Sequence, residues 1–135
     1  MDINVTFPGG RRVDAQVGDF VVRTDQPREL GGEGSAIAPF EMFLASMATC
    51  AGIYVLAFCQ ARKLSTEGLG LTQREELDPV TKLPSQVTLE LRLPVGFPEM
   101  YRGAIVRAAE GCKVKKTLAA QPHVEAVVAP MALAA

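Results

Sequence analysis

PFEMFLASMATCAGIYVLAFCQARK, the stretch from Pro39 to Lys63, decides the fold. Between Glu41 and Gln60 it carries no formal charge and no proline, so it reads as a helix that is apolar on all sides and has to be buried. Ser35 and Pro39 punctuate the loop before it. Glu41 falls in the first turn, where the helix dipole favours an anion, while Gln60, Arg62 and Lys63 suit the last. The run from Met42 to Cys59 is 18 residues, close to the ~20 that span a bilayer. Ser46, Thr49, Gly52 and four alanines dilute its hydrophobicity, and the flanking chain is of water-soluble type. The expectation is therefore the central helix of a compact domain, with no membrane partner.

Upstream of this helix, INVTF alternates apolar Ile3, Val5 and Phe7 with polar residues, as a half-buried strand does. Pro8-Gly9-Gly10 forms a turn. RRVDAQV and DFVVRTD follow, split at Gly18-Asp19, and the three runs read as an antiparallel meander. Residues 25–38, with three glycines and a proline, are a long loop of the kind that is often functional. Downstream, glycines 68 and 70 make LSTEGLGLTQREEL strand or loop, and SQVTLELRLPV is a strand with Val87, Leu89, Leu91 and Leu93 on one face. A second helix, PEMYRGAIVRAAEG, carries Met100, Ala104, Ile105 and Ala108 as its buried stripe and ends at Gly111. After Cys112, KVKKTLAAQ is a short third helix, HVEAVV fits a last edge strand, and the alanine-rich tail after Pro130 is expected to fray.

This order defines an α+β class in one domain covering residues 1–135, with antiparallel sheets packed around the long helix. So short a chain hardly supplies cover for an all-apolar helix, so a homodimer with paired central helices is expected. The formal net charge of −1 leaves no attraction to nucleic acid, and the absence of Trp argues against base stacking. The opening residues MDINVTFPGG have neither the basic nor the apolar part of a secretory signal, so the expected location is cytoplasmic. Three cysteines there point to thiol or metal chemistry sooner than to a disulfide framework.

Cys50 and Cys59 share the long helix nine residues apart, about 13 Å along the axis and on opposite faces. Disulfide geometry needs Cα atoms within about 7 Å, so those two cannot bridge and Cys59 reads as a small buried hydrophobe. Cys50 and Cys112 come from separate elements; if they meet, they form a redox-active dithiol. Cys112 sits at the start of a helix among Lys113, Lys115 and Lys116, a setting that lowers a thiol pKa. Burial alone raises the pKa of Cys50, so a reactive Cys50 requires a cation from elsewhere, for which Arg11 and Arg12 beside the glycine turn are candidates.

Other chemistries score poorly. Metal binding by three cysteines and His123 has no CxxC-like spacing to rest on, so no metal is expected. A Cys-His hydrolase has only His123, next to a proline near the chain end. The glycines at 31, 32 and 34 follow no strand directly and precede no Lys-Ser/Thr pair, so phosphate cradling is a weak reading.

DQPRELGG, then APFEMFLASMATCAGIYV, and later GCKVKKTL resemble the paired cysteine motifs of the OsmC/Ohr superfamily, in its OsmC-like branch, and the likeness runs in order along nearly the whole chain. The resemblance implies an intertwined α+β homodimer of OsmC-like fold and thiol-dependent reduction of organic hydroperoxides to alcohols. It makes Cys50 the peroxidatic thiol, Cys112 the resolving thiol and Arg11 the activating arginine. No bound cofactor is implied; an external lipoyl-type or other small dithiol is the reductant. Where the Ohr branch has a carboxylate directly after the helix-starting proline, this chain has Phe40, with Glu41 one place later and about half a turn out of phase with Cys50. Glu41 is thus a catalytic-site candidate with an alternative role as a capping or dimer-contact charge. Phe43, Met47 and Tyr54, flanking Cys50, are candidates for contact with a substrate's alkyl group, and equally for plain core. The rival reading is a non-catalytic OsmC-like stress protein that binds an apolar ligand or partner at the dimer groove.

Overall fold

The computed structural model describes residues 1–130, so the tail after Pro130 lies outside the described residues. The meander is present as three strands, β1 (Ile3–Gly9), β2 (Arg12–Val17) and β3 (Phe20–Thr24), paired antiparallel in chain order. Pro8 lies inside β1, not beyond it. The register shifts between Thr6 and Gly9, and that irregularity accommodates a residue with no N–H to give the ladder. Gly10 and Gly18 turn the two hairpins at φ of +59° and +58°, where a side chain is disfavoured.

The segment after β3 is knotted around one buried carboxylate. Asp25 accepts hydrogen bonds from the backbone N–H groups of Gln26, Glu33 and Ser35 and from the Ser35 hydroxyl at 2.6 Å. The Ser35 hydroxyl and the Ser35 and Gln26 amides hold its pKa at about 2, below the ordinary 3.8. At Gly32 an added Cβ would sit 2.0 Å from the Gln26 carbonyl oxygen, so only glycine fits. The long loop is therefore an ordered lead-in to helix α1 (Pro39–Ala61).

Helix α1, 23 residues long, is apolar and long enough to match a membrane span by length and composition, but one face closes onto a mixed core. Ala51, Val55, Phe58 and Cys59 pack there against Ile105, Ala109 and Cys112. Ile105 and Ala109 belong to α2 (Arg102–Glu110), and α3 (Lys113–Ala120) follows Cys112 directly. Strands β4 (Gly70–Leu77) and β5 (Pro84–Arg92) form a second antiparallel sheet whose Leu71, Leu89 and Leu91 complete this layer. Its alternation matches the sequence: Val87, Leu89 and Leu91 are half-buried, while Thr88, Glu90 and Arg92 are exposed.

Two expectations need correction. Met100 is 79% exposed, because the first turn of its segment, Glu99–Tyr101, is a 3₁₀ turn that rotates it off the stripe kept by Ala104, Ile105 and Ala108. HVEAVV is not a strand; residues 121–130 run exposed, and without a neighbouring edge to pair with, a strand-prone segment gains no ladder. Within one chain α1 is covered on one face only, since Phe40, Ile53 and Tyr54 are 48%, 56% and 39% exposed. The β1–β3 sheet likewise makes no extended contact with the rest of its chain, leaving Phe7 and Phe20 nearly bare.

Candidate functional site

The covered and bare faces of α1 meet at Cys50. This residue is half-buried, while Cys112, beyond the end of α2, is 1% exposed. Gly111 ends α2 by donating its N–H to Arg107 and Ala108 carbonyls, and the chain turns at once into α3 with Cys112 as its N-cap. The Cys112 sulfur does the work of a capping oxygen, accepting the Lys115 N–H at 3.4 Å. The neighbouring free amides of the same helix start point at the other sulfur.

The Cys50 thiol thus meets a ready-made anion setting. Its pKa is lowered from the ordinary thiol value, first by a hydrogen bond from the Val114 N–H, then by the Cys112 side chain, the Lys113 N–H and the Lys113 charge; burial works against these. Cys112 is thus among the groups that act on the Cys50 thiol, the juxtaposition that spacing left open. The helix start expected to act on Cys112 also acts on Cys50, through the Val114 and Lys113 amides and the Lys113 charge. A sequence signal existed in the lysines after Gly111, but backbone amides have no letter in a sequence.

Other candidates are distributed differently. Arg11 lies over Gly31, its Nε 3.4 Å from where a Gly31 Cβ would stand, and neither Arg11 nor Arg12 is among the groups acting on Cys50 in its own chain. Glu41 accepts the Ala38 N–H at 3.3 Å, the capping role foreseen as its alternative. Phe43, Met47 and Tyr54 occupy the same side of α1 as Cys50, at i, i+4 and i+11 along the helix. Phe43 stacks on Phe40 with centroids 5.8 Å apart, and Tyr54 is open to solvent. Met47 reaches a cavity of about 310 Å³ whose wall includes Leu89, Leu91, Val106, Ala109, Lys115 and Cys112, a feature no sequence pattern announced. Cys59 is fully buried; burial raises its pKa and the nearby Arg62 charge offsets this only in part. Among the described residues no group of His, Cys, Asp or Glu is arranged to hold a metal ion.

Two free cysteines from different elements, Cys50 with its thiol pKa lowered and Cys112 among the groups acting on it, sit in a chain of α+β architecture. Residues 32–127 match the family model described as OsmC-like protein, and the chain belongs to that family. No curated protein matches it by sequence. Among solved structures, it is similar to an organic hydroperoxide resistance protein OsmC from Legionella pneumophila, 26% identical, covering 87% of this chain and 89% of that one, with a TM-score of 0.54. A candidate osmotic stress induced and detoxification response protein from Psychrobacter arcticus is 19% identical over 85% of each chain, with a TM-score of 0.72. A candidate organic hydroperoxide resistance protein from Vibrio cholerae, with captopril in one of its active sites, is 20% identical over 90% of this chain and 85% of that one, with a TM-score of 0.53. The OsmC-like α+β fold expected from the motifs is the fold of this chain.

Proposed function

We propose that this chain is a thiol peroxidase that reduces organic hydroperoxides to alcohols through a Cys50/Cys112 dithiol-disulfide cycle. The observation that carries this reading is the pairing of a thiolate-stabilised Cys50 with Cys112 at the start of α3. The Cys50 thiolate attacks the terminal oxygen of the peroxide. The O–O bond breaks, the alkoxide leaves and takes a proton to become the alcohol, and Cys50 is left as a sulfenic acid. Cys112 then attacks that sulfur, water departs, and a disulfide forms. An external dithiol, lipoyl-type or another small one, restores both thiols, so the chain needs no bound cofactor. Phe43 and Tyr54 offer apolar contact to the alkyl group, and Met47 lines the cavity beside Cys112.

The same reading assigns a homodimer. The bare side of α1 and the apolar residues of a sheet that makes no extended contact with the rest of its chain favour burial against a second copy. Arg11, carried by that sheet, is then available to bring a guanidinium to a Cys50, and Glu41 secures the start of the helix that presents it. The reducing cytoplasm is the compartment in which such a cycle runs.

The test is stoichiometric. One equivalent of cumene hydroperoxide should consume two of the three thiols, yield one equivalent of cumyl alcohol and leave Cys59 free. Peroxide loss that persists unchanged in Cys50→Ser would remove the thiol mechanism and leave the non-catalytic ligand-binding alternative.

A further inference from the structure

We propose that the Cys50–Cys112 disulfide is reduced by attack on the Cys112 sulfur, by a dithiol that arrives through the cavity Cys112 lines, while the peroxide reaches Cys50 by another approach. This rests on the peroxidase reading above. The cavity, about 310 Å³, lies between β5, α2, the start of α3 and the first half of α1. Its volume falls at the small end of the range for small-molecule sites, about 300–1,000 Å³. Leu89, Leu91, Val106 and Ala109 give it an apolar wall, and Lys115 and Glu110 add one charge of each sign. Cys112 belongs to that wall and Cys50 does not.

Thiol-disulfide exchange needs the attacking, central and leaving sulfurs nearly in line. From this cavity the central sulfur is Cys112 and the sulfur beyond it is Cys50. The leaving sulfur is also the better one to expel. Cys50 is met by the Val114 and Lys113 amides and the Lys113 charge, and a less basic thiolate leaves faster. In the first step a thiolate of the reductant bonds to the Cys112 sulfur, the S–S bond breaks, and its electron pair goes to Cys50 as a thiolate. In the second, the other thiolate of the same reductant attacks its own bound sulfur, closes a cyclic disulfide and releases Cys112. The reductant loses two electrons and two protons in all, and the protein disulfide gains them.

The experiment oxidises the intact protein with one equivalent of cumene hydroperoxide and confirms the loss of two thiols. The oxidised protein is then exposed briefly to 2-mercaptoethanol, quenched in acid and blocked with N-ethylmaleimide. Peptide mass spectrometry locates the mixed disulfide. The expected result is at least a fivefold excess of mercaptoethanol on Cys112, with the maleimide on Cys50. An equal split, or an excess on Cys50, overturns the proposal. If the peroxide consumes no thiols, the peroxidase reading fails first and the proposal falls with it. A second arm uses Val106→Phe, at a residue 46% exposed and so tolerant of bulk. The rate of disulfide reduction by dithiothreitol, relative to the rate of oxidation by cumene hydroperoxide, should fall at least fivefold in that variant. An unchanged ratio overturns the cavity as the route.

Discussion

Helix α1 carries a cysteine near its middle and another two and a half turns on, and the two are driven in opposite directions. Cys59 faces a closed layer of Phe58, Ile105 and Ala109, where burial makes the neutral thiol the favoured form. Cys50 also suffers desolvation, yet its pKa is lowered, because α3 begins opposite it and presents N–H groups with no helical partner. The helix they share is therefore not what sets their chemistry. What the opposing element offers at each level decides it, and two oriented amides, the Cys112 side chain and one lysine outweigh the cost of burial.

The largest test of this contrast is catalytic. Cys50→Ser should lower peroxide turnover by roughly a thousandfold or more, since a hydroxyl is no nucleophile at neutral pH. Cys59→Ser should stay within about twofold, with its cost appearing in stability, where placing a hydroxyl in that apolar layer removes on the order of 1–3 kcal/mol. Steady-state assays and urea denaturation on the same preparations separate the two effects. Equal losses of turnover would mean that the two ends of the helix are not chemically distinct.

Reactivity without substrate gives the next effect. Alkylation by iodoacetamide follows the thiolate fraction and access, so at pH 7 Cys50 should react about a hundredfold faster than Cys59. The sign with pH follows from the shifts. Because Cys50 has its pKa lowered, its rate should level off at a pH below that of an ordinary thiol; because Cys59 has its pKa raised, its rate should still be climbing there. Cys112→Ser should reduce multiple turnover roughly tenfold, because the sulfenic acid is no longer captured as a disulfide, while the first equivalent of alcohol still forms. Rapid-quench detection of cumyl alcohol distinguishes this from a loss of the first step.

The contrast was only half legible in the sequence. Helix α1, the meander and β5 are readable because burial imposes a period on them, and Cys59 follows from helix geometry alone. The meeting of Cys50 and Cys112 came from motif resemblance, since spacing places no constraint between separate elements. Lys113 was visible but its action on Cys50 was not: a helix start in sequence says which residue caps it, not which neighbouring chain its free amides face. HVEAVV failed for a related reason. Its β-prone valines show that it suits a strand, but a strand exists only where another edge receives it, and residues 121–130 meet none within the chain.

The smallest effect is the most specific. Lys113 acts on Cys50 twice, through its backbone N–H and through its charge, and the charge is the last of the lowering influences. Lys113→Gln removes only the charge and leaves the N–H, the helix and the Cys112 cap in place. At partly exposed sites a single charge is strongly screened, so the alkylation rate of Cys50 at pH 7 should fall by only about twofold to threefold. The deficit should shrink as salt is raised, because wild type loses the same attraction to screening. A tenfold fall that is independent of salt would mean that the ammonium, and not the amides at the start of α3, is the principal support of the thiolate. The distinction between the two ends of α1 would then rest on one side chain and not on the way a helix begins.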